Sequence, residues 1–262
     1  MTFTVTSRDG TKIAYDKVGS GPLVILVGGA LSFRPGWTEP RIAQLLEPNF
    51  TVINYDRRGR GESTDTQPYS PQREVEDIEA LLKEFGGSGF IYGISSGAVL
   101  ALIASSELGD KVRKLAIYDT AYDNSNEGRR VMREYNKRLS NLLANGQNGD
   151  AVVLFMKFVG VPDEQINGMH NSSMWSALEA LAPTLAYDSI VLGEDRSIPA
   201  AIAAKIKVPT LVMYGEKSPP FMSETAQALK NVILNSQLRI LEGQTHDVQP
   251  DVLAPVLREF FQ

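Results

Sequence analysis

Five residues constrain this chain more than any others: Gly93-Ile94-Ser95-Ser96-Gly97, which fit the pattern G-x-S-x-G. The apolar run Phe90-Ile91-Tyr92 before them reads as a buried strand. The stretch Ala98 to Ser105 after them, small and apolar with no Gly or Pro, reads as a helix. A chain passing from strand to helix through so few residues must reverse sharply. The serine is then held in a strained backbone conformation with its hydroxyl pushed out of the turn. The glycines remove the Cβ atoms that would collide where strand and helix pack closely. An ordinary βα turn carrying two serines is the competing reading; the flanking strand and helix favour a nucleophile elbow.

The rest of the chain supplies a matching scaffold. A length of 262 residues suits one α/β domain, or a domain with one large insertion. Hydrophobic residues at 43% and charged residues at 22% are ordinary for a globular protein. A hairpin is expected where Thr2–Ser7 and Lys12–Lys17 flank Arg8-Asp9-Gly10-Thr11. The continuous apolar run 23–27 suits a strand covered on both faces, and further strands are read over 51–55, 90–92, 115–118, 210–214 and 238–241. Helical segments fall between them: 38–46, 70–85 (opened by Ser70-Pro71), the post-elbow helix, 223–231 and 250–261. The alternation lapses over residues 120–205, which read as helices with polar loops, among them 127–143, 151–159 and 171–185. The expected fold is therefore α/β: a mostly parallel eight-stranded sheet with helices on both faces. Residues 1–119 and 206–262 form its core, and 120–205 a helical insertion.

Charge and composition narrow the chemistry. A net charge of -5 without basic clusters argues against a nucleic-acid partner. There is no cysteine, hence neither disulfide nor thiolate nucleophile; with two histidines a zinc site is not expected, while carboxylate sites for harder ions stay open, and no cofactor is expected. No apolar run nears the ~20 residues that span a bilayer. The N-terminus opens on an alternating strand without a basic, then apolar, leader, so a cytoplasmic location is expected. The partner is expected to be a small-molecule substrate; monomer and homodimer both stay open.

A serine hydroxyl needs a base. His246, in Gly243-Gln244-Thr245-His246-Asp247 just after the last strand, falls at the carboxyl edge of a parallel sheet, where the elbow also lies. His170 falls in the insertion and is read as a partly exposed residue there. A developing oxyanion needs donors. The run 23–27 ends in Gly28-Gly29-Ala30, whose backbone N–H groups could act with that of Ser96.

With these residues in place, the chain resembles the α/β-hydrolase fold superfamily over nearly its full length. The resemblance is carried by 93–97, by Gly28-Gly29-Ala30, by Asp56-Arg57-Arg58-Gly59-Arg60-Gly61-Glu62-Ser63 (a D-x-R-G-x-G-x-S loop), by Val208-Pro209-Thr210-Leu211-Val212 leading into Gly215, and by His246. It implies the order nucleophile, acid, histidine, and a cap formed by 120–205. Three departures stand out. Gly28-Gly29 replaces a common His-Gly, and Ile94 replaces a common histidine. Gly215-Glu216-Lys217-Ser218 puts serine where the G-x-x-D acid is expected. Some members, haloalkane dehalogenases among them, carry the acid after the strand here read as 115–118. Asp119 is accordingly the first candidate, Glu216 the alternative and Asp123 third, with Asp247 ranked low because consecutive side chains diverge. Asp56 and Arg58 read as loop anchors. The expected activity is carboxylic-ester hydrolysis through an acyl-enzyme on a small apolar ester or lactone. Ser95, His246 and Asp119 would be catalytic, with Ala30 and Ser96 as the oxyanion hole. A ligand-binding or receptor-type protein on this scaffold, a C–C bond hydrolase and a perhydrolase are the alternatives.

Overall fold

In the computed structural model, which describes residues 2–36 and 38–262, the chain builds one eight-stranded sheet. The strands are β1 (Phe3–Thr6), β2 (Lys12–Val18), β3 (Leu23–Val27), β4 (Thr51–Tyr55), β5 (Gly89–Ile94), β6 (Val112–Tyr118), β7 (Thr210–Gly215) and β8 (Ser236–Leu241). Their spatial order is β1-β2-β4-β3-β5-β6-β7-β8. β1 and β2 form the expected antiparallel hairpin, and β2 pairs antiparallel with β4. From β4 to β8 every pairing is parallel.

The fully apolar strands follow from burial on both faces. Along β3, Leu23, Ile25 and Val27 point into one core cluster while Val24 and Leu26 point into another. Helices α1 (Glu39–Leu46) and α11 (Pro250–Phe261) cover the second, through Ile42, Leu46, Leu253 and Leu257. Helices α2 (Pro71–Glu84), α3 (Ser96–Leu108) and α10 (Pro220–Val232) cover the first. Each central strand is thereby dry on both sides, and its backbone groups are satisfied by its neighbours.

Between β6 and β7 lie α4 (Asn126–Ala144), α5 (Asn148–Phe158), α6 (Asp163–His170), α7 (Trp175–Leu181), α8 (Leu185–Leu192) and α9 (Ala200–Ala203). They enclose a cluster of their own, with Met132, Leu139, Val152 and Leu181 buried in it. The segment 171–185, expected as one helix, is divided: α7 stops at Leu181 and a 3-10 turn over Ala182–Thr184 leads into α8. Pro183, which has no N–H to continue the ladder, accounts for the break. No helix among the described residues is long and apolar enough to cross a membrane.

The loop after β4 is pinned by its acid and arginine. Asp56 accepts from the backbone N–H and Nε of Arg34 (2.7 and 2.9 Å) and from Glu62 N (2.9 Å). Arg58, fully buried, donates to both carboxylate oxygens of Asp77 (2.8 and 2.7 Å) and to Asp9 (2.8 Å). Both residues sit in anchoring bonds.

Candidate active site

The loops that leave β3, β5, β6 and β8 meet at the carboxyl edge of the sheet. β5 ends at Ile94, and Ser95 follows with φ 57° and ψ -126°, a left-handed conformation costly for a residue with a Cβ. Its N–H donates to Tyr118 O (3.1 Å), and its carbonyl accepts from Ala98 N (3.0 Å) to start α3. Gly97 is required by close approach: a Cβ there would lie 2.3 Å from Val27 O and 2.5 Å from Gly28 O. The elbow is therefore wedged against the end of β3, and Gly29 abuts the Ser95 side chain.

Asp119 follows β6 immediately, also at positive φ (45°), a region that aspartate tolerates better than most residues. Its N–H donates to Met213 O (3.0 Å), which fixes it between β6 and β7. The carboxylate is fully buried, and its Oδ2 lies 3.1 Å from His246 Nδ1. A carboxylate can only accept, so Nδ1 carries the proton and Nε2 is left for a second partner. Ser218 donates to the same Oδ2 (2.6 Å) and Gly215 N to Oδ1 (3.2 Å). Ser218, from the loop after β7, thus donates to a carboxylate that follows the neighbouring strand β6. Glu216 is turned away: it is exposed and accepts from Gly243 N (2.7 Å). Asp123 is engaged by Arg196 (2.7 Å).

Ser95, His246, Gly29 and Ala30 line one cavity of about 300 Å³. From the insertion, Phe155, Met156, Met169 and Leu178 complete an apolar wall. Of the other large apolar residues in the insertion, Phe158 stacks on Tyr135 and Trp175 packs against His170, which is exposed and outside this cavity. Ser96 opens α3, so its N–H has no acceptor within the helix and is free to serve a ligand. Among the described residues, no group of three His, Asp or Glu is arranged to hold a metal ion.

Two features escape a reading of the sequence. The first is Glu39, in the first turn of α1 and only 6% exposed, which lines the cavity. A Cβ on Gly28 would meet Ser32 Oγ at 2.4 Å and Glu39 Oε1 at 3.2 Å. Ser32 and Glu39 thus fill the space into which a side chain at position 28 would project. Burial pushes the Glu39 carboxyl above the ordinary glutamate range, against a smaller opposing pull from its own backbone N–H. Between its unfolded and folded pKa values the unfolded chain has released this proton and the folded protein keeps it. Stability therefore falls as pH rises through that window, and above it the penalty is complete. Glu39→Gln is expected to raise the melting temperature at pH 8, each ~1 kcal/mol of relieved penalty being worth roughly 2–4 °C in a domain this size. The gain should vanish below about pH 4, where the unfolded glutamate is itself protonated. Thermal scans across pH check this; a gain that is constant with pH would contradict it.

The second is Asp188, the lone acid of the apolar helix α8, which is 4% exposed. It accepts from Ser96 Oγ (2.8 Å), Arg57 Nη1 (2.8 Å) and Arg60 Nη2 (2.9 and 2.8 Å). Arg57 is held from its other side by Glu74 (2.7 and 2.6 Å). A single charge inside an apolar helix marks Asp188 in the sequence without indicating what it meets.

A mostly parallel eight-stranded sheet with a serine on a strained turn after a mid-sheet strand defines the α/β-hydrolase architecture. A model of the alpha/beta hydrolase family matches residues 23–256, and the chain belongs to that family. It is 46% identical to an alpha/beta hydrolase from Sphaerobacter thermophilus whose crystal structure superposes with a TM-score of 0.89, covering 99% of this chain and 100% of that one. Two curated relatives are each 22% identical. Proline iminopeptidase PfmaB of Pestalotiopsis fici aligns over 92% of this chain and 91% of its own length. Serine hydrolase BPHL of Mus musculus aligns over 95% and 81%.

Proposed function

We propose that the protein is a serine hydrolase of carboxylic esters, acting on a small apolar ester or lactone. The observation that carries this reading is the His246 Nδ1–Asp119 contact of 3.1 Å at the cavity that Ser95 lines. Ser95 Oγ attacks the carbonyl carbon and His246 Nε2 takes its proton. The N–H groups of Ala30 and Ser96 hold the oxyanion. Collapse of the tetrahedral intermediate expels the alcohol, protonated by His246, and leaves an acyl group on Ser95. Water, deprotonated by His246, attacks that ester and releases the acid. Asp119 holds the imidazole in the Nδ1–H tautomer and stabilises the imidazolium.

The apolar wall supports an apolar acyl or alcohol group, and a cavity of about 300 Å³, at the small end for ligand sites, supports a small one. In this reading residues 120–205 are a cap over a core of 1–119 and 206–262. The relatives' names, a serine hydrolase and an iminopeptidase, agree with serine acyl transfer and leave the scissile bond to the cavity. The test is labelling with a fluorophosphonate, which reports an activated serine. Rapid modification mapped to Ser95 is expected. An unlabelled protein that nonetheless binds small apolar ligands would favour a binding protein on this scaffold.

A further inference from the structure

Arg57 and Arg60 occupy two of the three variable positions of the D-x-R-G-x-G-x-S loop, and both are only 1% exposed. With Asp188 and Glu74 they form a charge-balanced network beneath the elbow. Breaking such a network by removing one member leaves a buried charge without a partner. Its two ends are specific. Arg60 Nη1 donates to Gly29 O (2.5 Å), and the Gly29 carbonyl and the Ala30 N–H are opposite ends of one planar peptide. Fixing that oxygen fixes the direction of the N–H, and a cation on the carbonyl polarises the peptide and strengthens the N–H as a donor. At the other end, Asp188 accepts from the hydroxyl of Ser96, whose N–H is the second proposed oxyanion donor. Burial alone would raise the Asp188 carboxyl, yet the guanidiniums of Arg60 and Arg57 hold it below the usual aspartate range. It is therefore an anionic acceptor for all three donors at neutral pH.

We infer that Arg60 and Asp188 are positioning residues for the oxyanion hole: Arg60 aims and polarises the Gly29–Ala30 peptide, and Asp188, supplied by the helical insertion, locks Arg60 and Ser96 in one frame. The inference rests on the serine-hydrolase reading. It makes the insertion part of the catalytic geometry, because Asp188 reaches the elbow from 92 residues away in sequence.

The test compares the parent with Arg60→Met, Asp188→Asn and Ser96→Ala, using p-nitrophenyl butyrate and an alkyl trifluoromethyl ketone. The ketone adds to the serine and places an alkoxide in the oxyanion hole, so its affinity reports that hole, which a loss of folded protein or of ground-state binding would not single out. Arg60→Met and Asp188→Asn are expected to lower kcat by about 10–100-fold with KM within about threefold, and to weaken the ketone in proportion; full deletion of a donor sets the upper range at about 100–1,000-fold. Ser96→Ala removes one hydroxyl from the network and serves where the charged variants do not fold; it should show the same signature at about 3–10-fold. Folded variants with unchanged kcat, or with reduced kcat but unchanged ketone affinity, would overturn the inference. A parent that neither turns over the ester nor accepts a fluorophosphonate would instead sink the hydrolase reading, and this inference with it.

Discussion

Ser95→Ala is expected to lower kcat/KM for p-nitrophenyl butyrate by on the order of 10⁴- to 10⁶-fold, the range over which removal of a serine nucleophile leaves only binding and the oxyanion hole. The substitution should not disturb the fold. Ser95 holds its place by backbone bonds to Tyr118 O and from Ala98 N, which alanine keeps, and alanine meets the same left-handed strain as serine. An unchanged melting temperature with abolished turnover is therefore the expected pair of results. His246→Ala should fall into the same range, and the double variant should be no worse than either single one, because base and nucleophile act as a unit. Ester turnover within tenfold of the parent in Ser95→Ala would refute the assignment outright.

Asp119→Asn is expected to reduce kcat by about 10⁴-fold while leaving the cavity intact. The buried amide would still meet Ser218 and Gly215 N. It would no longer accept two protons at Oδ2 from His246 and Ser218 as a carboxylate does, so the imidazole loses both its tautomer and the counter-charge for its imidazolium. Glu216→Gln, at an exposed residue bonded to Gly243 N, should stay within about threefold of the parent, the range of a surface change remote from the chemistry. Rescue sharpens the test. Ser218 Oγ lies 2.6 Å from Asp119 Oδ2, so Ser218→Asp in the Asp119→Asn background puts a carboxylate beside the histidine from the other strand. At least tenfold recovery of kcat is expected. In the parent background the same change would press two carboxylates together and should lower activity. If Glu216→Gln were the variant that lost activity, the acid assignment would be wrong.

The parts of the fold legible in the sequence were those whose cause is local. The elbow, the hairpin at Asp9-Gly10 and the buried strands each follow from residues within one short window. So does the placement of Ser95, Ala30 and His246 at the carboxyl edge, because every loop that follows a parallel strand arrives there. The insertion was legible only as helical. Pro183 divides it where periodicity ran on, and the residues of α5 to α7 that reach the cavity depend on how the helices pack.

The acid marks the boundary. Sequence alone established that serine replaces the usual aspartate at position 218 and that Asp119 follows a strand at the correct edge. It left Asp119 and Glu216 both open, since each lies at a strand end within reach of the same loop. Strand pairing separates their positions: the β6–β7 register pairs Tyr118 with Met213, the Asp119 N–H donates to Met213 O and its carboxylate lies 3.1 Å from His246 Nδ1, while Glu216 accepts from Gly243 N. Asp188 and Glu39 belong wholly to the tertiary structure. Nothing within a few residues of either foretells its partners, because a buried charge is specified by groups that the folded chain brings to it.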